Sequence, residues 1–118
     1  AIAGSSMGGL ISLYAVLQYP KTFGIAGVFS PSLWIAPNLY QKAQTFTTKG
    51  TVAIYLYAGG KEGGSPKTAA QQVEEMALVF DKNPQISFTK IVYPNGQHNE
   101  ATWRQEIDDW YKWLAGMW

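Results

Sequence analysis

A serine in a tight, glycine-bounded turn is the first residue whose type and setting could support chemistry. Ser6 is the centre of Gly4-Ser5-Ser6-Met7-Gly8, a match to the pattern G-x-S-x-G, between a strand-like start and an apolar, helix-like run. This context predicts an exposed hydroxyl on a turn so sharp that side chains at Gly4 and Gly8 would collide with backbone. The Met7 N–H and the positive end of the helix would stabilise an oxyanion there. The alternative is a glycine-rich turn whose serine only caps the helix.

A serine hydroxyl needs a base to become a nucleophile, and the sequence contains a single histidine, His98. His98 follows a predicted strand through the turn at residues 94–97 and precedes a predicted helix. In an open parallel sheet, this position lies beyond the carboxyl end of a strand, on the edge where Ser6 is expected. An isolated histidine is often a surface or core residue, but two such loops on one edge favour catalysis.

An acidic side chain that orients the histidine is expected between the serine and the histidine in sequence order. The carboxylates in that interval considered as candidates are Glu62, Glu74, Glu75 and Asp81. We predict Glu62, because it alone lies just past the end of a predicted strand, whereas the others lie on a predicted helix. Two alternatives stay open: Glu62 is an exposed turn residue paired with Lys61, or a serine–histidine dyad acts without a strong acid.

The composition argues against several other classes of protein. The absence of cysteine excludes a thiol nucleophile and a zinc–thiolate site, and one histidine cannot form a multi-histidine metal cluster, so we expect no metal or cofactor. A net charge of +1 with 14% charged residues provides no basic stripe for nucleic acid. No run of about 18 apolar residues occurs, which argues against a membrane span.

Helices and strands alternate along the predicted chain. Strands are predicted at residues 24–29, 51–58 and 86–93, and helices at residues 7–19, from Ser65-Pro66 to about residue 81, and from near Asn99 with Trp103 and Trp110 on its packing face. Residues 30–48 are predicted to be an irregular excursion with a helical turn or two. Its aromatic residues Trp34 and Tyr40 could line a substrate pocket above Ser6, or belong to the local core. The alternation predicts an α/β fold with a parallel sheet.

Three blocks of the sequence carry a resemblance to a known family. They are AIAGSSMGGLISLYAVLQYPKTFGIAGVFSPSLW, YLYAGGKEGG and YPNGQHNEATWRQEIDDWYKWL. They resemble the C-terminal half of the putative-esterase family of α/β-hydrolases, which includes esterase D and the enterochelin (ferric-siderophore) esterases. The resemblance implies an eight-stranded, mostly parallel sheet, of which residues 1–118 would be the C-terminal part of one domain. That part would hold the nucleophile elbow and the last three βα units.

The resemblance also implies roles for the candidate residues. Ser6 falls on the family's nucleophile, His98 on its base and Glu62 near its acid, while a second oxyanion N–H would come from the N-terminal half. We therefore expect a serine esterase that acts on a small-molecule ester through an acyl-enzyme. The alternatives are an acyltransferase with the same machinery or a non-catalytic binding module. Because the sequence opens in a strand-like segment without Met, we expect a fragment that needs its N-terminal half or an oligomeric partner to complete its core.

Overall fold

The computed structural model describes residues 1–117 and contains one four-stranded sheet. Its strands are β1 (Ile2–Ser5), β2 (Ile25–Phe29), β3 (Val52–Gly59) and β4 (Ile86–Tyr93). The helices are α1 (Met7–Gln18), α2 (Asn38–Gln44), α3 (Ala69–Asp81) and α4 (Glu100–Ala115), and a short 3₁₀ turn covers Leu33–Ile35. All strands are parallel and their order in the sheet is β1-β2-β3-β4, as the α/β prediction requires.

Helices cover both faces of the sheet, because the parallel strands bury side chains on each face. Successive residues of β3 point in opposite directions: Ile54 and Leu56 join the core under α1, α2 and α3. Tyr55 and Tyr57 pack on the other face, with Phe29 and the tryptophans of α4. The molecule therefore has three layers, with the sheet in the middle.

The excursion at residues 30–48 contains the 3₁₀ turn and α2, in line with the predicted helical turn or two. Asn83, which is buried at the end of α3, anchors this segment. Its side-chain amide donates to the carbonyl oxygens of Ala43 and Phe46, each at 2.9 Å. One buried amide thus satisfies two backbone groups that lie outside any strand.

The predicted start of α3 at Ser65-Pro66 is wrong by a few residues. The helix begins at Ala69, and Thr68 is its N-cap. The Thr68 side chain accepts a hydrogen bond from the Gln71 N–H at 3.1 Å, while the Gln71 side chain accepts from the Thr68 N–H at 2.9 Å. This reciprocal capping box satisfies two free donors at once, which a single serine followed by proline cannot do.

Within residues 1–117, no helix combines the length and the apolar character needed to cross a membrane.

Candidate active site

The predicted site residues meet at one edge of the sheet, because each follows the carboxyl end of a strand. Ser6 directly follows β1, Glu62 lies three residues beyond β3, and His98 lies five residues beyond β4. Parallel strands end on the same side, so these three loops are neighbours in space although 92 positions separate Ser6 from His98 in the sequence.

Two hydrogen bonds join these three side chains in a continuous series. His98 Nε2 lies 3.0 Å from Ser6 Oγ, and His98 Nδ1 lies 2.7 Å from Glu62 Oε1. A carboxylate can only accept, so Glu62 assigns the imidazole proton to Nδ1 and leaves the Nε2 lone pair facing the Ser6 hydroxyl. The arrangement is that of a serine whose proton a neutral imidazole can remove.

The side chain of Glu62 is buried, and Glu62 is not an exposed turn carboxylate paired with Lys61. Its side chain is 2% exposed, against 43% for that of His98. The second oxygen, Oε2, accepts from the Gly59 N–H at 2.6 Å and from the Ser30 hydroxyl. Together with His98 Nδ1, these groups direct three donors at one carboxylate, so its charge is compensated although it is shielded from solvent.

The turn at Ser6 has the strained backbone that the G-x-S-x-G pattern predicts. Ser6 has φ 57° and ψ −118°, and its side chain makes no capping hydrogen bond to α1, so the helix-cap alternative fails. A Cβ added at Gly4 would lie 2.5 Å from the carbonyl group of Gly8, which confirms the need for glycine there. The expectation for Gly8 is wrong: a Cβ at Gly8 would meet no atom within 4 Å, because that position points away from the turn.

Two groups near the Ser6 hydroxyl could interact with a substrate oxygen. Met7 is the first residue of α1, so its N–H has no acceptor within the helix. The Ser32 hydroxyl lies 3.4 Å from Ser6 Oγ. A backbone N–H at a helix N-terminus favours negative charge, which suits a developing oxyanion.

A cleft of about 240 Å³ opens beside Ser6 and His98. The predicted pocket residue Trp34 lines this cleft and is largely exposed. Tyr40 lines a neighbouring cleft that also contacts Trp34, and its hydroxyl donates to the Gln72 carbonyl at 3.2 Å. Burial, with a smaller contribution from the nearby Glu75, raises the pKa of Tyr40 to about 12. Trp34 is therefore the aromatic residue that a substrate at Ser6 would meet first.

Sequence reasoning missed two residues that contact the series. The Trp103 indole N–H donates to the Ser30 hydroxyl at 2.9 Å, and the Trp103 ring meets the His98 ring edge to face, with centroids 4.9 Å apart. Ser30 directly follows β2, so the carboxyl end of β2 contributes a side chain to the site, as those of β1, β3 and β4 do. The sequence signal that could have identified Ser30 was its position directly after a predicted strand.

Comparisons with known proteins bear on the family and the fold of this chain. The family model described as Putative esterase matches residues 1–114. Iron(III) salmochelin esterase of Escherichia coli O6:H1 is 27% identical over 129 residues, which covers 98% of this chain and 30% of that protein. The uncharacterized protein YbbA of Bacillus subtilis is 39% identical over 61 residues, covering 51% of this chain and 24% of that protein. The chain thus spans less than a third of these curated relatives.

Two solved structures share the fold. Siderophore hydrolase EstA from Aspergillus nidulans superposes with a TM-score of 0.65 and 19% identity, covering 81% of this chain and 41% of that one. An IroE-like serine hydrolase from Shewanella oneidensis gives a TM-score of 0.62 and 19% identity, covering 90% of this chain and 37% of that one. With an α/β-hydrolase fold and a family model that matches all but its last four residues, this chain belongs to the Putative esterase family.

Proposed function

We propose that this chain carries the catalytic residues of a serine esterase that hydrolyses carboxylic esters through an acyl-enzyme. The observation that carries the proposal is the unbroken hydrogen-bonded series from Ser6 through His98 to Glu62 at the mouth of a cleft. Family membership supports ester hydrolysis in general. The series supports the specific mechanism, because it joins a nucleophile, a base and an orienting acid.

In the proposed mechanism, His98 Nε2 removes the proton from Ser6 Oγ as the oxygen bonds to the ester carbonyl carbon. The carbon–oxygen bond to the alcohol then breaks, and His98 returns the proton to the leaving oxygen. Water attacks the acyl-enzyme in the second half, again losing a proton to His98, and the carboxylic acid leaves as Ser6 regains its hydrogen. Glu62 holds the imidazole by its Nδ1–H and stabilises the imidazolium in both halves.

The oxyanion of each tetrahedral intermediate would receive a hydrogen bond from the Met7 N–H. We propose that a second donor comes from polypeptide other than the residues described here, in keeping with the small share of its relatives that this chain spans. Because one oxyanion donor is worth about 10²–10³ in kcat, this chain alone would be a slow catalyst.

We propose siderophore esters as the substrate class to test first. The relative aligned over nearly the whole chain is named an iron(III) salmochelin esterase. The exposed Trp34 at the cleft offers an aromatic face on which planar rings of a ligand could stack. Chromatography of a ferric siderophore ester incubated with the protein would show its hydrolysis products. Hydrolysis of simple aryl esters alone would contradict this substrate class.

Substitution of the nucleophile tests the proposed function. Ser6→Ala should lower ester hydrolysis to the background rate, because no other hydroxyl accepts a hydrogen bond from, or donates to, His98 among the residues described. The matched control is Ser5→Ala, since Ser5 lines a separate cleft on the α4 side of the sheet and should retain activity. Undiminished hydrolysis by a folded Ser6→Ala variant would contradict the proposal.

The two alternative functions predict different products. An acyltransferase would pass the acyl group to an added alcohol or sugar, whereas an esterase releases the free acid, so product analysis separates them. A non-catalytic binding module would have no reason to keep Ser6 Oγ within 3.0 Å of His98 Nε2, and the observed distance favours catalysis.

A further inference from the structure

Ser30 is a buried residue whose hydroxyl has two partners and no role in the mechanism above. It follows β2 directly, is 2% exposed and belongs to the segment FSPS. The hydroxyl accepts from the Trp103 indole N–H at 2.9 Å and donates to Glu62 Oε2. Because a hydroxyl has only one hydrogen, the bond accepted from Trp103 leaves that hydrogen directed at the carboxylate.

The backbone at Ser30 indicates that the hydroxyl matters more than the turn. Ser30 has φ 47°, in the left-handed region, where a non-glycine residue is strained. Glycine adopts this conformation without strain. Glycine would therefore suit the turn better than serine does. We attribute the serine at this position to the hydrogen bonds of its hydroxyl.

The hydroxyl of Ser30 determines how the carboxylate of Glu62 is presented to His98. Oε2 takes the donors from Ser30 and from the Gly59 N–H, and these two bonds fix the plane of the carboxylate. Oε1 is then free to accept from His98 Nδ1 at 2.7 Å. Loss of one donor to a buried carboxylate would let it rotate and would weaken its hold on the imidazole.

Trp103 connects the same residues from α4. Its N–H donates to Ser30, and its ring packs edge to face against His98 and so supports one side of the imidazole. One side chain thus contacts both the base and the residue that holds the acid.

We propose that Ser30 and Trp103 are positioning residues of the active site: through the relay from indole to hydroxyl to carboxylate, they hold Glu62 in the orientation that fixes His98. This inference rests on the proposed esterase function. It concerns kcat rather than substrate binding, because Ser30 and Trp103 act through Glu62 and His98, although Ser30 also lines the cleft beside Ser6.

The first test replaces Ser30 in the active protein and measures the rate of hydrolysis of a p-nitrophenyl ester. Ser30→Ala should lower kcat by about 10- to 100-fold with KM within about twofold, because it removes a hydrogen bond to a charged group. Ser30→Gly should show the same loss although it relieves the backbone strain, and it serves where Ser30→Ala does not fold. Trp103→Phe keeps an aromatic ring, though a smaller one, and removes the N–H, and should lower kcat by a smaller factor.

A double-mutant cycle separates positioning from a merely structural role. In a Glu62→Ala background, Ser30→Ala should change kcat by less than about twofold, because the group it acts through is gone. Equal losses in both backgrounds would overturn the proposal. A wild-type kcat in folded Ser30→Ala or Ser30→Gly would also overturn the proposal. If Ser6→Ala is inactive in the same assay, the proposed esterase function would still stand. Activity in Ser6→Ala would instead remove the proposed function itself.

Discussion

Glu62 is the residue whose surroundings bear most directly on the proposed mechanism. A carboxylate with a side chain only 2% exposed is costly unless donors compensate it, and here three do so. Two of the donors, Gly59 and Ser30, belong to the scaffold and the third is His98. The arrangement is therefore that of an acid fixed in place to orient a histidine, which favours a triad over a dyad.

Replacement of Glu62 by its amide tests this role. Glu62→Gln keeps the size of the side chain but loses the charge and can donate to His98, which would favour the wrong tautomer; we expect kcat to fall by about 10³–10⁴. Steady-state kinetics on a p-nitrophenyl ester would measure the loss. Glu74→Gln is the control, because Glu74 is a partly exposed helical carboxylate paired with Lys90 and should retain full activity. A loss below about tenfold would show that a Ser6–His98 dyad suffices.

Single residues also show which parts of the site can be predicted from sequence. Ser6, His98 and Glu62 were predictable because each follows a segment with clear strand character, and parallel strands end on one side. Ser30 also follows a predicted strand, but its contact with Glu62 could not be predicted, since that contact depends on the strand order that sets β2 beside β3. Tyr40 was predicted near the substrate but lies in the adjoining cleft, because α2 turns its hydroxyl toward Gln72.

Among the elements, α4 contacts both the site and the far face of the sheet. Besides Trp103, it carries Glu106, which accepts a hydrogen bond from the Tyr55 hydroxyl of β3. Burial raises the pKa of Glu106 above its ordinary value of 4.5, and Asp109 adds to this, although the Tyr55 hydrogen bond opposes the shift. The folded protein therefore disfavours the ionised form of Glu106 relative to the unfolded chain. A neutral acceptor at this position would let α4 pack more stably against β3.

The pH dependence of stability follows from the direction of this pKa shift. Since the folded protein binds the Glu106 proton more tightly than the unfolded chain, the free energy of unfolding falls as pH rises from about 4.5 through the raised pKa. Glu106→Gln retains an acceptor for Tyr55 without the charge. We expect the variant to be more stable than the wild type at about pH 7, with the difference shrinking toward about pH 4.

Urea unfolding at both pH values measures this prediction. Asp108→Asn, a change to an exposed carboxylate on the same helix, is the control and should show no such dependence. A Glu106→Gln variant less stable than the wild type at about pH 7 would mean that the charged hydrogen bond outweighs the cost of burial.

The elements were predicted best where turn or cap residues in the sequence mark their ends. The strand at residues 86–93 was predicted with its observed bounds, and α4 begins next to Asn99 as expected. The start of α3 was misplaced because Ser65-Pro66 has the local signature of a helix start, whereas the capping box at Thr68 also needs the Gln71 side chain.

At the scale of the whole molecule, an apolar surface lies where the sheet has an open edge. Met7, Ile11 and Tyr14 form one exposed stripe along α1, and within residues 1–117 β1 has a neighbouring strand on one side only. Beside β1, an apolar cleft of about 190 Å³ opens against Trp110 of α4. We propose that further polypeptide covers this surface, supplied by the same protein or by a second copy, as the relatives' greater length suggests.

A charge placed on the α1 stripe tests whether this surface is covered. Ile11→Asp should lower the melting temperature or disrupt association, although Ile11 is 58% exposed here. Leu78→Asp on α3 is the matched control, because Leu78 is 64% exposed outside this surface and should change stability by no more than about 0.5 kcal/mol. Thermal unfolding and light scattering provide the readouts. Equal effects of the two substitutions would contradict the proposed cover.

The central claim, that Ser6 is the nucleophile, is tested most directly by mass spectrometry of the protein after treatment with a fluorophosphonate. We predict one phosphonyl adduct, located on Ser6 by peptide fragmentation, because His98 can activate that hydroxyl and no other within the residues described. Labelling should disappear in the Ser6→Ala variant. An adduct on another residue, or no adduct on an active protein, would contradict the account.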